Sequence, residues 1–346
     1  MTAKRLIVFG LLALVLVGSA AIYIRALYAP MILDDLSQMA LASSWSSAAK
    51  ILGPDCYGFF RPVKNVIFFL LARHAAGLPM IGHALSLGLF LVTVILSFLY
   101  FRRVLGSDGL GLAAAGLWAL APTQVAVVIW LSCANQLVMM CAVFGALLFH
   151  ERAQAVGSAT RPWWWGGAAL CSLLAMASYE IAVVLPALAV LHDVWMDAHR
   201  LAKARNRAGY MLLSGVAASF VAARFMLGNR TLSGNPLFAS MSKTELMFSS
   251  AYFLADHLGM WLWPFGRQGI LRSFDVRQEG MMLAVASAWL VVAAVVLGGI
   301  HMRKKAPWFG WAMIWFSVSM FPVSNVVPLF VGPFGDYYLP LASVGL

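Results

Sequence analysis

The sequence predicts an all-α protein, a polytopic helical membrane protein with about nine to ten spans. Hydrophobic residues make up 62% of the 346 residues, and the mean hydropathy is +0.85. The apolar segments are long and continuous, and only 11% of the residues are charged. A soluble domain could not bury this much apolar surface. Within a bilayer, every backbone polar group must be satisfied inside its own segment, which favours helices.

The net charge of +11 is carried mostly by basic residues in short loops between apolar segments. This distribution indicates membrane orientation, because Lys and Arg stay on the cytoplasmic side, and it argues against nucleic acid as a partner. Only Cys56 of the four cysteines lies in a long loop, so no disulfide framework is predicted. No zinc-type spacing or nucleotide-binding motif occurs in the sequence. We therefore predict no cofactor, with a divalent metal ion left as an open alternative.

The first apolar segment, residues 6–24, predicts an uncleaved span whose N-terminus lies in the cytoplasm. Residues 25–79 then form a large extracytoplasmic loop. Leu41, Trp45, Ala48 and Leu52 fall at helical spacing, which predicts a helix lying on the membrane surface. A second short helix is predicted through Arg73-His74.

The next spans follow from the apolar segments and the basic residues that end them. They are residues 80–101 inward to Arg102-Arg103, residues 110–121 outward, and residues 125–149 inward. Residues 163–195 would measure about 50 Å as one helix, against a hydrocarbon core of about 30 Å. They therefore predict a hairpin, and its polar break at Ser178-Tyr179-Glu180 places Glu180 on the outer side.

The remaining residues leave two topologies open. Residues 210–227 cross outward, and residues 229–245 form a second outer loop. If residues 246–263 cross alone, the basic residues at 301–305 lie outside, against the charge rule. If residues 246–278 make no net crossing, residues 322–340 become an outer segment, and the charge rule favours this topology. The whole chain, residues 1–346, is predicted to be a single transmembrane domain.

Polar residues of the outer face share a chemistry suited to a phosphate-linked lipid substrate. Arginine makes bidentate phosphate contacts, and a carboxylate can accept a proton from an attacking hydroxyl. We predict Asp34, Asp35 and Glu180 as catalytic residues. The predicted substrate-binding residues are Arg61, Lys64, Arg73, His83, Asn325, Asp336 and Tyr337. Three of these positions have a structural alternative, which is packing or helix capping for His83, a headgroup anchor for Arg61 and a turn cap for Asn325.

Asp34 and Asp35 are adjacent, so on a helix their side chains point about 100° apart. They cannot readily flank one bond as a glycosidase pair does. We expect one carboxylate to take part in the reaction and the other to have a positioning role.

The order of several short motifs resembles the polytopic C-type (GT-C) glycosyltransferases. The nearest pattern is the membrane half of the tetratricopeptide-containing O-mannosyltransferases and their bacterial relatives. The motifs are Asp34-Asp35, Phe60-Arg61-Pro62, His83, Pro122, Ser178-Tyr179-Glu180, Pro322-Val323-Ser324-Asn325 and Asp336-Tyr337-Tyr338-Leu339-Pro340.

The resemblance implies transfer of a sugar from a polyprenyl-phosphate carrier to a protein, lipid or glycan acceptor on the outer face, with inversion at the anomeric carbon. It assigns the catalytic carboxylate to Asp34 or Asp35. It also implies a multi-pass protein of the bacterial inner (cytoplasmic) membrane, in contact with membrane lipid. The family continues into another helix beyond Leu346, which suggests that this chain is a fragment.

The sequence departs from the family pattern at four positions. Ala126 and Ala134 stand where an acidic residue and an arginine would align, Tyr179 replaces a lysine, and Asp336 replaces a glutamate. A non-catalytic membrane subunit is favoured if the side chains missing at Ala126 and Ala134 are essential. A transporter or flippase is the other alternative function. A transporter would place charges near the bilayer midplane between corresponding halves.

Residues 330–340 are apolar but contain Gly332, Pro333 and Gly335, which prevent a straight helix. Irregular backbone at membrane depth persists only where it lines a cavity or is buried in protein. We therefore predict that this segment folds back over the first loop and brings Asp336 beside Asp34.

Overall fold

The computed structural model describes residues 3–75, 78–155, 160–197, 199–226, 241–263, 265, 274–302, 304–326 and 335–346. These residues form α-helices, short 3-10 helices and turns, with no β-strand among them. The predicted all-helical class is confirmed. The chain divides into two compact units, Met1–Asn229 and Arg230–Leu346.

The first unit is built around its seventh helix, α7, which packs against α4 and α8. Its helices are α1 (Ala3–Tyr23), α2 (Asp34–Ser43), α3 (Pro62–His74), α4 (Pro79–Val104), α5 (Asp108–Leu120), α6 (Val125–Ile129), α7 (Ala134–Ala155), α8 (Arg161–Ser178), α9 (Leu185–Asp197), α10 (His199–Ala202) and α11 (Ala204–Met226).

The second unit is described by itself. Its described helices are α12 (Lys243–Phe248), α13 (Ser250–Leu262), α14 (Met281–Met302), α15 (Pro307–Met320) and α16 (Leu339–Ala342). In this unit α14 packs against α13 and α15.

Five helices of the described ranges are long and apolar enough to cross a membrane, by length and composition. They are Arg5–Tyr28, Pro79–Val104, Leu131–Ala155, Asn206–Met226 and Met281–Met302. The pair Asp108–Leu120 and Pro122–Ile129, bent by 59°, makes six if it counts as one span. These helices are what a multi-pass membrane protein requires. The larger predicted number of nine to ten spans stays a prediction.

The predicted surface helix through Leu41 and Leu52 is wrong. The helix instead starts at Asp34 and ends at Ser43, and a separate 3-10 helix covers Ala48–Leu52. The Ser44 hydroxyl donates to the Leu41 carbonyl at 2.7 Å, and Ser47 caps the 3-10 helix. Serine side chains compete with the helix for backbone partners, which accounts for the interruption.

The predicted inward span over residues 125–149 is also interrupted. The helix ends at Ile129, Trp130 adopts an extended conformation, and a 3-10 helix, Leu131–Cys133, leads into α7. The interruption leaves backbone N–H groups near Ser132 without partners inside a helix. One of them is used at the candidate site described below.

Other predicted breaks agree with the structure. α8 ends at Ser178 and a 3-10 helix begins at Glu180, as the hairpin requires. The second short helix of the first loop is α3, which ends at His74.

α13 is about 20 Å long at 1.5 Å per residue, shorter than a bilayer core. The second outer loop, residues 229–245, lies largely outside the described residues, as do residues 327–334 of the outer segment.

The predicted orientation can be tested by cysteine labelling in a background without the native cysteines. Asp35 is fully buried, so Lys50, an exposed residue of the same loop, is the better outer reporter. We expect Lys50→Cys to react with an impermeant maleimide from outside. Lys203→Cys should react only after permeabilisation, because basic loops stay in the cytoplasm. The reverse accessibility of these two positions would overturn the orientation.

Candidate functional site

The first turns of α2 and α3 supply the central charges of the candidate site. Asp34 and Asp35 begin α2, where a helix N-terminus favours negative charge. Arg61 is the N-cap of α3, and Pro62 occupies its first turn. Leu33, just before Asp34, has φ 51°. Such a backbone conformation costs a non-glycine residue about 1–3 kcal/mol and is often found at functional sites.

Asp34 and Lys64 form a buried ion pair. The Lys64 ammonium lies 2.7 Å from Asp34 Oδ2, and both side chains are almost fully buried. The other carboxylate oxygen, Oδ1, makes no hydrogen bond within the described residues. The pair therefore leaves one buried carboxylate oxygen available for a further partner.

Asp35 points away from Lys64, as its position next to Asp34 on a helix predicts. Its Oδ1 accepts the backbone N–H of Ser132 at 2.6 Å, and its Oδ2 accepts that of Ile32 at 3.1 Å. Ser132 lies in the interrupted segment before α7. Asp35 therefore caps the start of that helix, although it comes from a distant part of the chain. Burial raises the pKa of Asp35 above its ordinary value, and these two N–H groups offset part of the increase.

Arg61 and Glu180 form a second, bidentate pair. Arg61 Nε lies 2.9 Å from Glu180 Oε2, and Nη2 lies 2.6 Å from Oε1. The guanidinium carbon of Arg61 lies 4.6 Å from the ring centres of both Phe59 and Tyr179. Arg224, in the last turn of α11, also approaches Glu180 Oε2, at 3.5 Å. Two guanidinium groups thus converge on one carboxylate.

Asp55 joins the two pairs. Its Oδ2 lies 3.7 Å from the Lys64 ammonium and 3.8 Å from Arg61 Nη1. Its Oδ1 accepts the backbone N–H groups of Tyr57 and Phe59, in a turn where Gly58 has φ 86°. This turn fixes a carboxylate beside two cations at the start of α3. We call the connected set the buried ion network. Its members are Asp34, Lys64, Asp55 and Arg61, which are buried, and Glu180 and Arg224, which are half-buried.

The network shifts the pKa values of Lys64, Arg61 and Glu180 in the direction that favours their charged forms. Burial alone would lower the pKa of Lys64, but Asp34 and Asp55 raise it above its ordinary value. The pKa of Arg61 is raised in the same way by Glu180. Burial would raise the pKa of Glu180, but Arg61 and Arg224 hold it well below its ordinary value. Charges of both signs therefore persist at neutral pH.

Buried amides hold the turn that carries Asp55. Gln38 of α2 donates to Asn65 Oδ1 at 2.9 Å and accepts the backbone N–H of Cys56 at 2.9 Å. Asn65 Nδ2 donates to the carbonyls of Ile51 and Gly53. Full satisfaction of such buried groups rigidifies a site. The amides therefore connect α2, α3 and the intervening loop.

The structure brings five of the predicted site residues together: Asp34, Asp35, Arg61, Lys64 and Glu180. His83 of α4 is fully buried and within electrostatic range of Asp35. Its ring lies near the backbone of Ala29 and Pro30, although neither ring nitrogen meets hydrogen-bond geometry within the described ranges.

Arg73 lies apart from these residues, at the other end of α3. Twelve residues of helix separate it from Arg61, which corresponds to about 18 Å. Its guanidinium donates to the Trp45 carbonyl and lies over the Phe69 ring. Its substrate-binding role stays a prediction.

Three predicted residues belong to the second unit, where they are buried or half-buried. Asn325 has φ 62°, and its amide donates to the Val323 carbonyl at 3.2 Å. Asp336 begins a 3-10 helix, and the Tyr337 hydroxyl donates to that of Tyr338 at 3.2 Å. The proximity of Asp336 to Asp34 stays a prediction.

Sequence reasoning missed Asp55 and Arg224. Asp55 carried a usable signal, as an acid of the same predicted loop within a Gly53-Pro54 to Gly58 turn. Arg224 lies near the predicted outer end of the span over residues 210–227. That position puts a cation on the side of Asp34, and it could have been recognised from the topology alone.

Ala134, where the family pattern has an arginine, is fully buried in an apolar cluster with Ala42, Phe68 and Leu71. An arginine there would be an unpaired charge among apolar groups, which is strongly unfavourable. The departure from the family pattern therefore agrees with the local packing of this chain.

A second buried polar cluster lies at the opposite end of α7. Asp193 of α9 accepts from Tyr210 of α11 and contacts His150 of α7 at 2.6 Å. Gln154 also donates to Asp193. His150 is about 24 Å along α7 from Ala134. This cluster connects three helices far from the buried ion network.

In the described ranges, no three His, Cys, Asp or Glu side chains are grouped so that they could hold a metal ion. A scan against protein-family models gives no match to this chain, and a search of curated proteins gives none either.

The Asp34–Lys64 pair predicts a large loss of stability when only one charge is removed. Lys64→Met should lower the free energy of unfolding by about 3–5 kcal/mol, because Asp34 then lacks its closest cation. Thermal unfolding in detergent measures this effect. Lys50→Met, at an exposed position, is the matched control, and Asp34→Asn combined with Lys64→Met should recover part of the loss. A Lys64→Met protein as stable as wild type would contradict the pairing.

Glu180 predicts a specific pH dependence. Its folded-state pKa lies below the ordinary value of 4.5. Its stabilising contribution is therefore complete above that value and is lost as the pH falls through the folded-state pKa. We expect Glu180→Gln to be less stable than wild type by a constant amount from about pH 6 to 8. This difference in the free energy of unfolding should decrease below about pH 4.5. If the difference instead increases on acidification, the ion pairs of Glu180 with Arg61 and Arg224 are excluded.

Proposed function

We propose that this chain is a glycosyltransferase. It moves a sugar from a polyprenyl-phosphate carrier to a protein, lipid or glycan acceptor on the outer face of a bacterial inner membrane. The resemblance in motif order supports this proposal. The observation that carries it is the Asp34 carboxylate, which is held by Lys64 through one oxygen while the other has no hydrogen bond in the described part of the chain.

Asp34 is the general base in this proposal, and Asp35 positions it. Both oxygens of Asp35 accept backbone N–H groups, whereas Oδ1 of Asp34 can still accept a proton. A general base must come within hydrogen-bond reach of the hydroxyl that it deprotonates. Because Asp34 is 4% exposed, an acceptor reaches it only after the local chain moves. We assign that movement to the strained backbone at Leu33.

Arg61 and Arg224 bind the donor phosphate in this proposal. Arginine suits phosphate because its planar group donates two parallel hydrogen bonds. Arg61 is pre-positioned by two aromatic rings and by Glu180, so little side-chain entropy is lost on binding. Glu180 serves as a positioning residue that keeps the two guanidinium groups together.

The proposed reaction is a single displacement. The acceptor oxygen attacks the anomeric carbon, and its proton passes to Asp34 Oδ1. The bond between the anomeric carbon and the phosphate oxygen breaks, and the electron pair leaves with the polyprenyl phosphate. The arginine pair stabilises the negative charge that develops there. Attack opposite the leaving group inverts the anomeric configuration.

A non-catalytic membrane subunit is the second candidate. Asp55 and Glu180 are both engaged in ion pairs, as they would be in a purely structural connection between loops. In that case the substitution of Asp34 would change stability and leave sugar transfer by any associated enzyme unaffected.

The purified full chain should consume polyprenyl-phosphate sugar in the presence of acceptor. Asp34→Asn should lower turnover by about 10²–10⁴-fold, because the amide cannot take the proton. The amide oxygen still accepts from Lys64, and Asp55 lies 3.7 Å from the same ammonium. The variant should therefore insert and fold, with a lower unfolding temperature than wild type because Lys64 has lost its closest carboxylate. Turnover is measured by the loss of lipid-linked sugar.

Glu279→Gln, an exposed carboxylate of the second unit, is the matched control and should keep wild-type turnover. Wild-type turnover in a folded Asp34→Asn protein would contradict the assignment of Asp34 as the general base. No donor consumption by the wild-type chain with any polyprenyl-phosphate sugar would favour the non-catalytic subunit.

A further inference from the structure

A groove opens at the end of α4 opposite to His83. It has a volume of about 810 Å³ and lies among α4, the start of α5, α7 and α8. Its apolar wall includes the half-buried Leu96, Leu148 and Phe149. Its volume falls within the range of about 300–1,000 Å³ typical of small-molecule sites.

Three arginines line the polar end of this groove: Arg102, Arg103 and Arg152. Arg103 pairs with Glu151 at 3.0 Å, and Arg102 pairs with Asp108 at 3.2 Å. Arg152 instead lies over the ring of Trp164, 5.6 Å from its centre. Three cations against two carboxylates leave a net positive charge at the mouth of an apolar groove.

The position of the groove matches the headgroup level of a bilayer. About 29 Å of helix separates Arg102 from His83 along α4, which is close to the thickness of a hydrocarbon core. Arg102 and Arg103 end a candidate span, and Trp164 belongs to a run of three tryptophans typical of a membrane interface. Basic pockets between spans on the cytoplasmic side are known to favour anionic headgroups.

We propose that this groove binds an acidic phospholipid. The three arginines contact the headgroup phosphate, whose negative charge is not balanced by a headgroup cation, and an acyl chain lies along Leu96, Leu148 and Phe149. The apolar wall distinguishes this ligand from free phosphate, which gains nothing from leucine and phenylalanine side chains. The site is independent of the proposed sugar transfer, since it lies at the other end of α4.

The test uses the purified full chain, with bound lipid counted by native mass spectrometry and unfolding followed in parallel. The probes are phosphatidylglycerol, phosphatidylcholine and inorganic phosphate. We expect wild type to bind phosphatidylglycerol at least about tenfold more tightly than phosphatidylcholine, given about fivefold for each nearby basic residue.

Arg152→Gln should weaken phosphatidylglycerol binding about fivefold and leave phosphatidylcholine binding unchanged. It leaves the ion pairs of Arg102 and Arg103 intact, so folding should be preserved. The triple substitution of Arg102, Arg103 and Arg152 by Gln should bring both lipids to equal affinity. Arg207→Gln, an exposed residue of α11 outside the groove lining, is the matched control and should bind as wild type.

Three results would overturn the proposal. They are equal wild-type affinity for the two lipids, an undiminished preference in a folded Arg152→Gln protein, and loss of the preference in Arg207→Gln. Stabilisation by inorganic phosphate alone, with no further effect of phosphatidylglycerol, would assign the arginines to a free anion and reject a lipid ligand.

Discussion

The buried charge of Lys64 is the constraint on which the candidate site depends. An ammonium group removed from water is tolerated only beside carboxylates, because its desolvation is otherwise uncompensated. Asp34 and Asp55 meet this requirement from two different segments, and each of them is itself buried. The Lys64 charge therefore holds together three segments, which are the start of α2, the turn before α3 and the start of α3. Arg61 pairs with Glu180, and Glu180 is also close to Arg224, so opposite charges alternate through these residues as well.

Helix ends supply most of this chemistry. Asp34, Asp35 and Glu180 stand at helix starts, where the backbone favours negative charge. Arg61 and Lys64 stand at the start of α3, where the backbone disfavours positive charge, so neighbouring carboxylates are needed to offset it. The interruption before α7 gives Asp35 a backbone N–H that a continuous helix would have used internally. Breaks in helices thus create the partners that the carboxylates require.

The first unit separates two kinds of polar surface along α4 and α7. At one end, opposite charges are buried and balanced in the ion network. At the other, exposed arginines outnumber the carboxylates around an open groove. The cluster around Asp193 lies at that second end and ties α7, α9 and α11 together. Long helices with such different ends suit a protein that meets different surroundings on the two sides of a membrane.

Apolar segments and their basic ends predicted the helical class, α4 and the break before Glu180, because each of these depends on local composition or spacing. Side-chain chemistry and motif order singled out Asp34, Asp35, Arg61 and Lys64 as candidate site residues. The end of α2 at Ser43 and the interruption at Trp130 depended on hydrogen bonds that hydropathy does not record. Only the tertiary structure decided which oxygen of each aspartate is occupied, and that Asp55 and Arg224 complete the network. Ion pairing between residues as far apart as Arg61 and Glu180 requires the folded chain, since nothing in the local sequence of one specifies the position of the other.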